Sequence, residues 1–138
     1  VLLCHGSPRR TNEFLWESTS SDAFLGWLLD AAEADVLCVT HTGLPWERRL
    51  PGDRLVVNVG AIGRPANDGD PRVTYPILDF GGPAVTVEWR RVAYDHAALA
   101  AEMRAEGLPG EFVETIETGW WTTCLEVLPA KERARGRY

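Results

Sequence analysis

The chain has 138 residues, of which 45% are hydrophobic and 25% are charged, proportions typical of one globular domain that buries a core without disulfides. Its 14 Lys and Arg residues against 20 Asp and Glu residues give a net charge of −6, which argues against a constitutive binder of nucleic acid or anionic membranes. The sequence has neither an apolar run long enough to span a bilayer nor a signal-peptide pattern. Three cysteines, an odd number, favour reduced thiols, so we expect a cytoplasmic protein.

A strand–helix–strand unit is predicted at the beginning of the chain. Residues 1–4 and 36–40 are short apolar runs that indicate buried strands. Between them, Ser21 or Asp22 is suited to cap a helix that continues to about Glu33, because apolar residues recur there every three or four positions. This order of elements favours a parallel pair of strands. Because the chain opens inside an apolar run, we expect that it is trimmed or that an upstream half exists.

The middle of the chain has a different pattern, which predicts a loop and several short strands. The polar stretch 9–20 is expected to be a loop held in place by Phe14 and Trp16. Short runs of strand-forming residues at 54–59, 73–80 and 84–92 are separated by glycine-rich turns, which indicates an antiparallel meander. The fold class predicted is therefore α/β, with α+β character in the second half.

Two helices are predicted near the carboxyl terminus. Asp95 is suited to cap a helix over residues 96–106, and Gly107 to end it. A second helix is predicted over 111–118, before Gly119. The last stretch is expected to be a frayed surface tail and carries four basic residues, Lys131, Arg133, Arg135 and Arg137. We expect a domain over residues 1–94 and a helical extension over 95–138 that packs on it.

Two of the three histidines occupy equivalent positions in the sequence. His5 and His41 each follow an apolar strand, and ligand-binding residues gather at the carboxyl ends of parallel strands. Imidazole is a good ligand for divalent transition metals, so we predict that both bind one metal ion. Taken alone, each histidine more often has a structural role. His96, at a predicted helix start, is expected to cap the helix or face solvent.

A glycine-rich turn follows the predicted strand at 54–59. Asn58 and Arg64 flank a Gly–x–x–Gly spacing, which lets backbone N–H groups approach an anion while Arg64 contacts a phosphate oxygen. Asn58 and Arg64 are therefore candidate substrate-binding residues. A tight turn whose glycines supply positive φ explains the same pattern.

Taken in order, these motifs resemble the carboxyl-terminal half of the calcineurin-like metallophosphoesterases, in their compact single-domain prokaryotic branch. The resemblance covers roughly residues 1–95 and depends on five segments, namely 5–8, 40–45, 58–65, 68–72 and 75–79. It implies a four-layer α-β-β-α sandwich with two divalent metal ions, of manganese, iron, zinc or cobalt. These ions activate a water that attacks a small phosphate mono- or diester. In that scheme His5 and His41 match ligands of the second metal ion.

The chain also departs from the family pattern. Gly43 stands where the family has a histidine ligand of the first metal ion, and Thr40 stands where it usually has glycine. The family's amino-terminal ligands, including its bridging aspartate, have no counterpart in the chain. Two histidines cannot hold two metal ions, each of which needs about four donors. The resemblance therefore implies the carboxyl-terminal part of a phosphoesterase, inactive alone. The alternative is a non-catalytic module with a degenerate metal site, for which Trp120 and Trp121 are a candidate partner-binding surface. The same two tryptophans are also explained, and more often, as residues that complete the core.

Overall fold

The computed structural model describes residues 1–135. Its secondary structure comprises six strands, four α-helices and a short 3-10 turn over Leu125–Val127. In chain order the elements are β1 (Leu2–Cys4), α1 (Asp22–Ala31), β2 (Val36–Val39), β3 (Pro45–Leu50), β4 (Arg54–Val59), β5 (Val73–Asp79), β6 (Thr86–Val92), α2 (His96–Ala105), α3 (Gly110–Thr118) and α4 (Ala130–Arg135).

The larger sheet has four strands in the order β1-β2-β4-β3. β1 pairs in parallel with β2 and β2 in parallel with β4, which confirms the strand–helix–strand unit. The prediction of an antiparallel meander was correct for the β5–β6 hairpin and wrong for β4, which joins the parallel sheet through β2. β3, antiparallel to β4, was not predicted because four of its six residues are proline or charged. Such residues are tolerated in β3 because it is an edge strand.

Both faces of this sheet are covered, which explains why β2 reads as a continuous apolar run. On one face, Leu25, Leu28 and Leu29 of α1 pack against Leu37 and Val56. On the other face, the β5–β6 hairpin packs against a second apolar cluster. Three layers are thus formed by α1, the sheet and the hairpin. Tyr75 and Ile77, on the outer side of the hairpin, are exposed.

β1 is the least covered strand of this sheet. Leu3 lies opposite Cys38 in the register, on the hairpin side, and is 74% exposed. Residues 2–4 thus form the predicted strand, but only Leu2 and Cys4 pack against the core, so the strand is partly rather than fully buried. β1 lies at the edge of the sheet, and the hairpin packs on the strands towards the opposite edge.

The helix boundaries agree with the capping residues. Ser21 accepts a hydrogen bond from the backbone N–H of Phe24 at the start of α1, and Asp95 accepts one from that of Ala98 at the start of α2. Gly119 ends α3 with φ +74°, where a Cβ would lie 2.5 Å from the backbone of Asp70. None of the helices within residues 1–135 combines the length and hydropathy needed to cross a bilayer.

The carboxyl-terminal stretch is ordered helix rather than the frayed tail that we predicted. α4 places Glu132 in a buried position, where its carboxylate accepts hydrogen bonds from the backbone N–H and the hydroxyl of Ser18. Arg135 forms an ion pair with Glu17 at 2.5 Å. Arg137, which we also assigned to the tail, lies outside the described residues. The local sequence could not predict these contacts, because Ser18 and Glu132 are 114 residues apart.

Candidate functional site

The structure brings His5 and His41 together. His5 directly follows β1 and His41 follows β2, and because these strands are parallel neighbours both side chains emerge at the same edge of the sheet. His5 Nε2 lies 2.8 Å from His41 Nδ1, with the ring planes at 74° to each other. Without a cation, one of the two ring nitrogens carries a hydrogen and donates a hydrogen bond to the other. A shared metal ion instead requires a lone pair from both nitrogens.

The backbone at His41 is in the left-handed region, with φ +77°. This conformation is uncommon for residues other than glycine, and it persists only where the surroundings enforce it. On the amino-terminal side, the Thr40 hydroxyl donates a hydrogen bond to the carbonyl of Gly60. On the carboxyl-terminal side, Thr42 is buried and its hydroxyl accepts a hydrogen bond from the N–H of Leu44. His41 is therefore held from both sides.

Asn58 supports this loop from within the core. It is fully buried, and its amide nitrogen donates to the Thr42 hydroxyl at 2.8 Å and to the Leu15 carbonyl at 3.3 Å. Its amide oxygen accepts from the N–H of Gly60 at 3.1 Å. Asn58, which we considered for substrate binding, thus uses its amide inside the chain and positions the His41 loop instead.

Burial lowers the pKa of His41, and the neighbouring His5 lowers it further. Both effects disfavour the imidazolium form, because a buried cation loses hydration and a second cation beside it is repelled. The neutral imidazole is the form that binds a metal ion.

A cavity of about 230 Å³ opens beside His41. Arg64 also lines it, so the structure places this predicted substrate-binding residue next to a predicted metal ligand. The Arg64 guanidinium lies 3.6 Å from the centroid of the Trp121 ring and donates a hydrogen bond to the Thr123 carbonyl at 3.3 Å. The further lining residues are Phe14, Trp16, Thr42, Cys124, Glu126 and Val127.

Trp121, which we considered as a partner-binding residue, is buried and packs in a core cluster instead. Its indole N–H donates to the Pro65 carbonyl at 2.7 Å, and its backbone N–H donates to the side-chain oxygen of Asn67 at 2.8 Å. Its ring packs directly on Gly43, where a Cβ would lie 3.1 Å from two ring carbons. Gly43 also has φ +73°, so a side chain there is disfavoured both by the backbone conformation and by the contact with Trp121. The sequence singled out the Trp–Trp pair but had no local signal for the contact between Trp121 and Gly43.

The metal-binding residues of this segment are incomplete. No group of three or more His, Cys, Asp or Glu side chains within residues 1–135 is arranged to hold a metal ion. The two imidazoles fit part of a site by their spacing, since ligand nitrogens on one tetrahedral zinc ion lie about 3.3 Å apart and these two nitrogens are 2.8 Å apart. His96 lies apart, at the start of α2, with its Nδ1 3.4 Å from the carbonyl of Tyr94.

Two solved structures share this arrangement of strands and helices. The chain is 30% identical to a metallophosphoesterase from Sphaerobacter thermophilus, over 85% of this chain and 55% of that one, with a TM-score of 0.65. A hypothetical protein from Pyrococcus horikoshii is 20% identical over 87% of this chain and 46% of its own, with a TM-score of 0.70, which shows the fold alone. No protein-family model and no curated protein matches the chain.

The fold is thus metallophosphoesterase-like, in agreement with the class that the sequence predicted. The chain spans about half the length of each of these two structures.

Proposed function

We propose that this chain is part of the catalytic domain of a metal-dependent phosphoesterase. In this proposal His5 and His41 contribute imidazole ligands to one divalent metal ion. The main support is their juxtaposition, 2.8 Å between ring nitrogens at the ends of two parallel strands, in a fold similar to that of a metallophosphoesterase. The substrate is a small phosphate mono- or diester rather than a nucleic acid, consistent with a net charge of −6.

The remaining ligands would come from polypeptide outside these 138 residues. A metal ion supplies Lewis-acid activation of water and of the phosphoester, but residues 1–135 do not hold the donors for even one complete site. The segment is therefore inactive alone in this proposal. The neighbours support this inference, since about half of each has no counterpart in the chain.

The uncovered side of β1 is consistent with further polypeptide at this position. An apolar cavity of about 330 Å³ lies open there, lined by Leu3, Cys38, Val39 and Val59 among others. Leu3 is exposed while its register partner Cys38 is buried. Covering such a surface stabilises a protein in proportion to the apolar area removed from water.

The test uses the full natural protein, with whatever polypeptide adjoins this segment. We expect His5→Ala and His41→Ala each to lower the amount of bound metal, measured by elemental analysis. In the presence of manganese, each variant should also hydrolyse p-nitrophenyl phosphate or its bis ester more slowly, by more than about 100-fold. His96→Ala is the matched control, because that imidazole contacts Tyr94 instead. Wild-type metal content in both site variants contradicts the proposal.

A non-catalytic binding module is the second candidate, favoured by the packing of Trp121 on Gly43. That packing fills the space into which a side chain at position 43 would extend. If the full protein binds no metal and hydrolyses none of these esters, the degenerate module is the correct interpretation. Two equivalents of bound metal with turnover exclude it.

A further inference from the structure

The cavity beside His41 has mainly apolar and aromatic walls. Phe14 is 41% exposed at its rim and stacks on Trp16, with ring centroids 5.2 Å apart and planes within 4° of parallel. The Phe14 ring also lies 4.4 Å from that of His41. Trp121 and the half-exposed Val127 complete the apolar lining. Phe14 was predicted to anchor its loop, and its exposure instead leaves part of the ring available to a ligand.

Two residues with unusual backbone conformations line this same cavity. His41 has φ +77° and Cys124 has φ +63°. Among the described non-glycine residues with positive φ, His41, Asn67 and Asp53 are of types enriched in this region, and Glu33 lies just beyond the end of α1, which leaves Cys124 as the least usual. Sparsely populated backbone conformations such as that of Cys124 occur preferentially at functional sites.

The charges of the lining do not suit a polyanion. Arg64 brings one positive charge, and Glu126 brings a negative charge to the same cavity. The guanidinium carbon lies above the Trp121 ring, in a cation–π contact. With one charge of each sign, the lining carries no net charge, so it favours an uncharged aromatic group over a further anionic one.

We propose that this cavity binds a planar aromatic group of the substrate, so that the substrate is an aromatic ester of phosphate. Its phosphate faces the His5–His41 pair, and its ring packs among Phe14, Trp16 and Val127. This placement rests on the proposed function for the position of the phosphate. The volume of about 230 Å³ limits the occupant to roughly one ring system, since sites for drug-sized ligands start at about 300 Å³.

The test measures binding separately from turnover, with phosphonates whose P–C bond the enzyme cannot hydrolyse. Phenylphosphonate and methylphosphonate are titrated into the full natural protein by calorimetry. We expect the phenyl compound to bind about three- to tenfold more tightly, the range that one aromatic contact supplies. Phe14→Leu is expected to abolish this preference. Val127→Trp should abolish it too, because the larger side chain fills the cavity without altering His41 or Phe14.

Two control variants carry the same changes elsewhere. Phe80→Leu alters an exposed phenylalanine just after β5, and Val92→Trp alters a valine at the end of β6 that is 41% exposed, against 40% for Val127. Both are expected to keep the phenyl preference. Equal affinity for the two phosphonates, or a preference that survives Val127→Trp, overturns the aromatic pocket. A preference that behaves as expected in a protein without phosphoesterase activity upholds the pocket and overturns the proposed function.

Discussion

Gly43 and Trp121 show how a residue near the site depends on a distant one. Neither glycine nor tryptophan at these positions follows from its local sequence, yet the indole ring occupies the volume that a side chain at position 43 needs. Thr42, which directly precedes Gly43, is buried, and its hydroxyl accepts a hydrogen bond from the Asn58 amide. The conformation of the His41 loop is therefore set by packing against the carboxyl-terminal segment as well as by β2.

The first prediction compares two glycines with similar backbone angles. Gly43 and Gly52 have φ +73° and +79°, but a Cβ at Gly52 meets nothing within 4 Å. Both Gly→Ala substitutions carry the strain of positive φ, about 1–2 kcal/mol. Gly43→Ala should be destabilising by about 1 kcal/mol more, because Trp121 must shift. The measurement is the free energy of unfolding in denaturant, and equal values for the two variants contradict the contact.

At the scale of elements, α4 is anchored to the loop that precedes α1 through a buried carboxylate. Glu132 is 3% exposed, and its two oxygens accept hydrogen bonds from the backbone and side chain of Ser18. Leu128, just before α4, packs with Trp16 and Trp121. The helix therefore fixes the segment that carries the aromatic wall of the candidate site.

We expect Glu132→Ala to lower the free energy of unfolding by about 1–3 kcal/mol, because it leaves the Ser18 N–H without its acceptor in a partly buried position. Glu114→Ala, on the exposed side of α3, is the control and should change stability by less than about 0.5 kcal/mol. Thermal denaturation followed by circular dichroism measures both. A similar small effect in the two variants means that Glu132 does not anchor α4.

At the scale of the whole molecule, an ion-pair network joins the hairpin to the loop that follows the Arg64 turn. Arg91 on β6 pairs with Asp68 at 2.5 Å and with Asp70 at 2.7 Å, and Arg72 pairs with Asp70 at 2.6 Å. The Arg72 guanidinium holds the pKa of the Asp70 carboxyl well below its usual range, with a further contribution from Arg91. The same loop contacts Gly119 and Trp120, so the network connects three parts of the fold.

The lowered pKa of Asp70 predicts a dependence of stability on pH. Because the folded state favours the ionised carboxylate, its contribution is complete above the unfolded pKa of about 3.9 and decreases as the pH falls below that value. We expect Asp70→Asn to be less stable than wild type at pH 7, by less than about 1 kcal/mol because the network is exposed to solvent. The difference should decrease below about pH 4 and in high salt.

Asp53→Asn, in the turn between β3 and β4, is the control for this measurement. Its stability should differ little from that of wild type across the pH range. Melting temperatures recorded from pH 3 to pH 7 provide the comparison. If Asp70→Asn and wild type differ by the same amount across the range, the ion pairs do not stabilise the fold in this way.

The elements that the sequence predicted correctly have local signals. The cap at Ser21, the cap at Asp95 and the left-handed glycine after α3 each depend on residues within one turn of the helix end. The meeting of His5 and His41 was also predictable, because the carboxyl ends of neighbouring parallel strands must lie side by side. Metal binding by the pair and phosphate binding by Arg64 stay predictions.

What only the tertiary structure decided has no local signal. The burial of Asn58, the edge position of β1, the packing of Trp121 on Gly43 and the anchoring of α4 all join residues that are distant in the chain. The sequence by itself determined the positions of α1 to α3 and of every strand except β3, because capping and hydrophobic periodicity act over a few residues. The folded chain decided which side chains share the cavity at His41, because packing acts between surfaces whatever their separation in sequence.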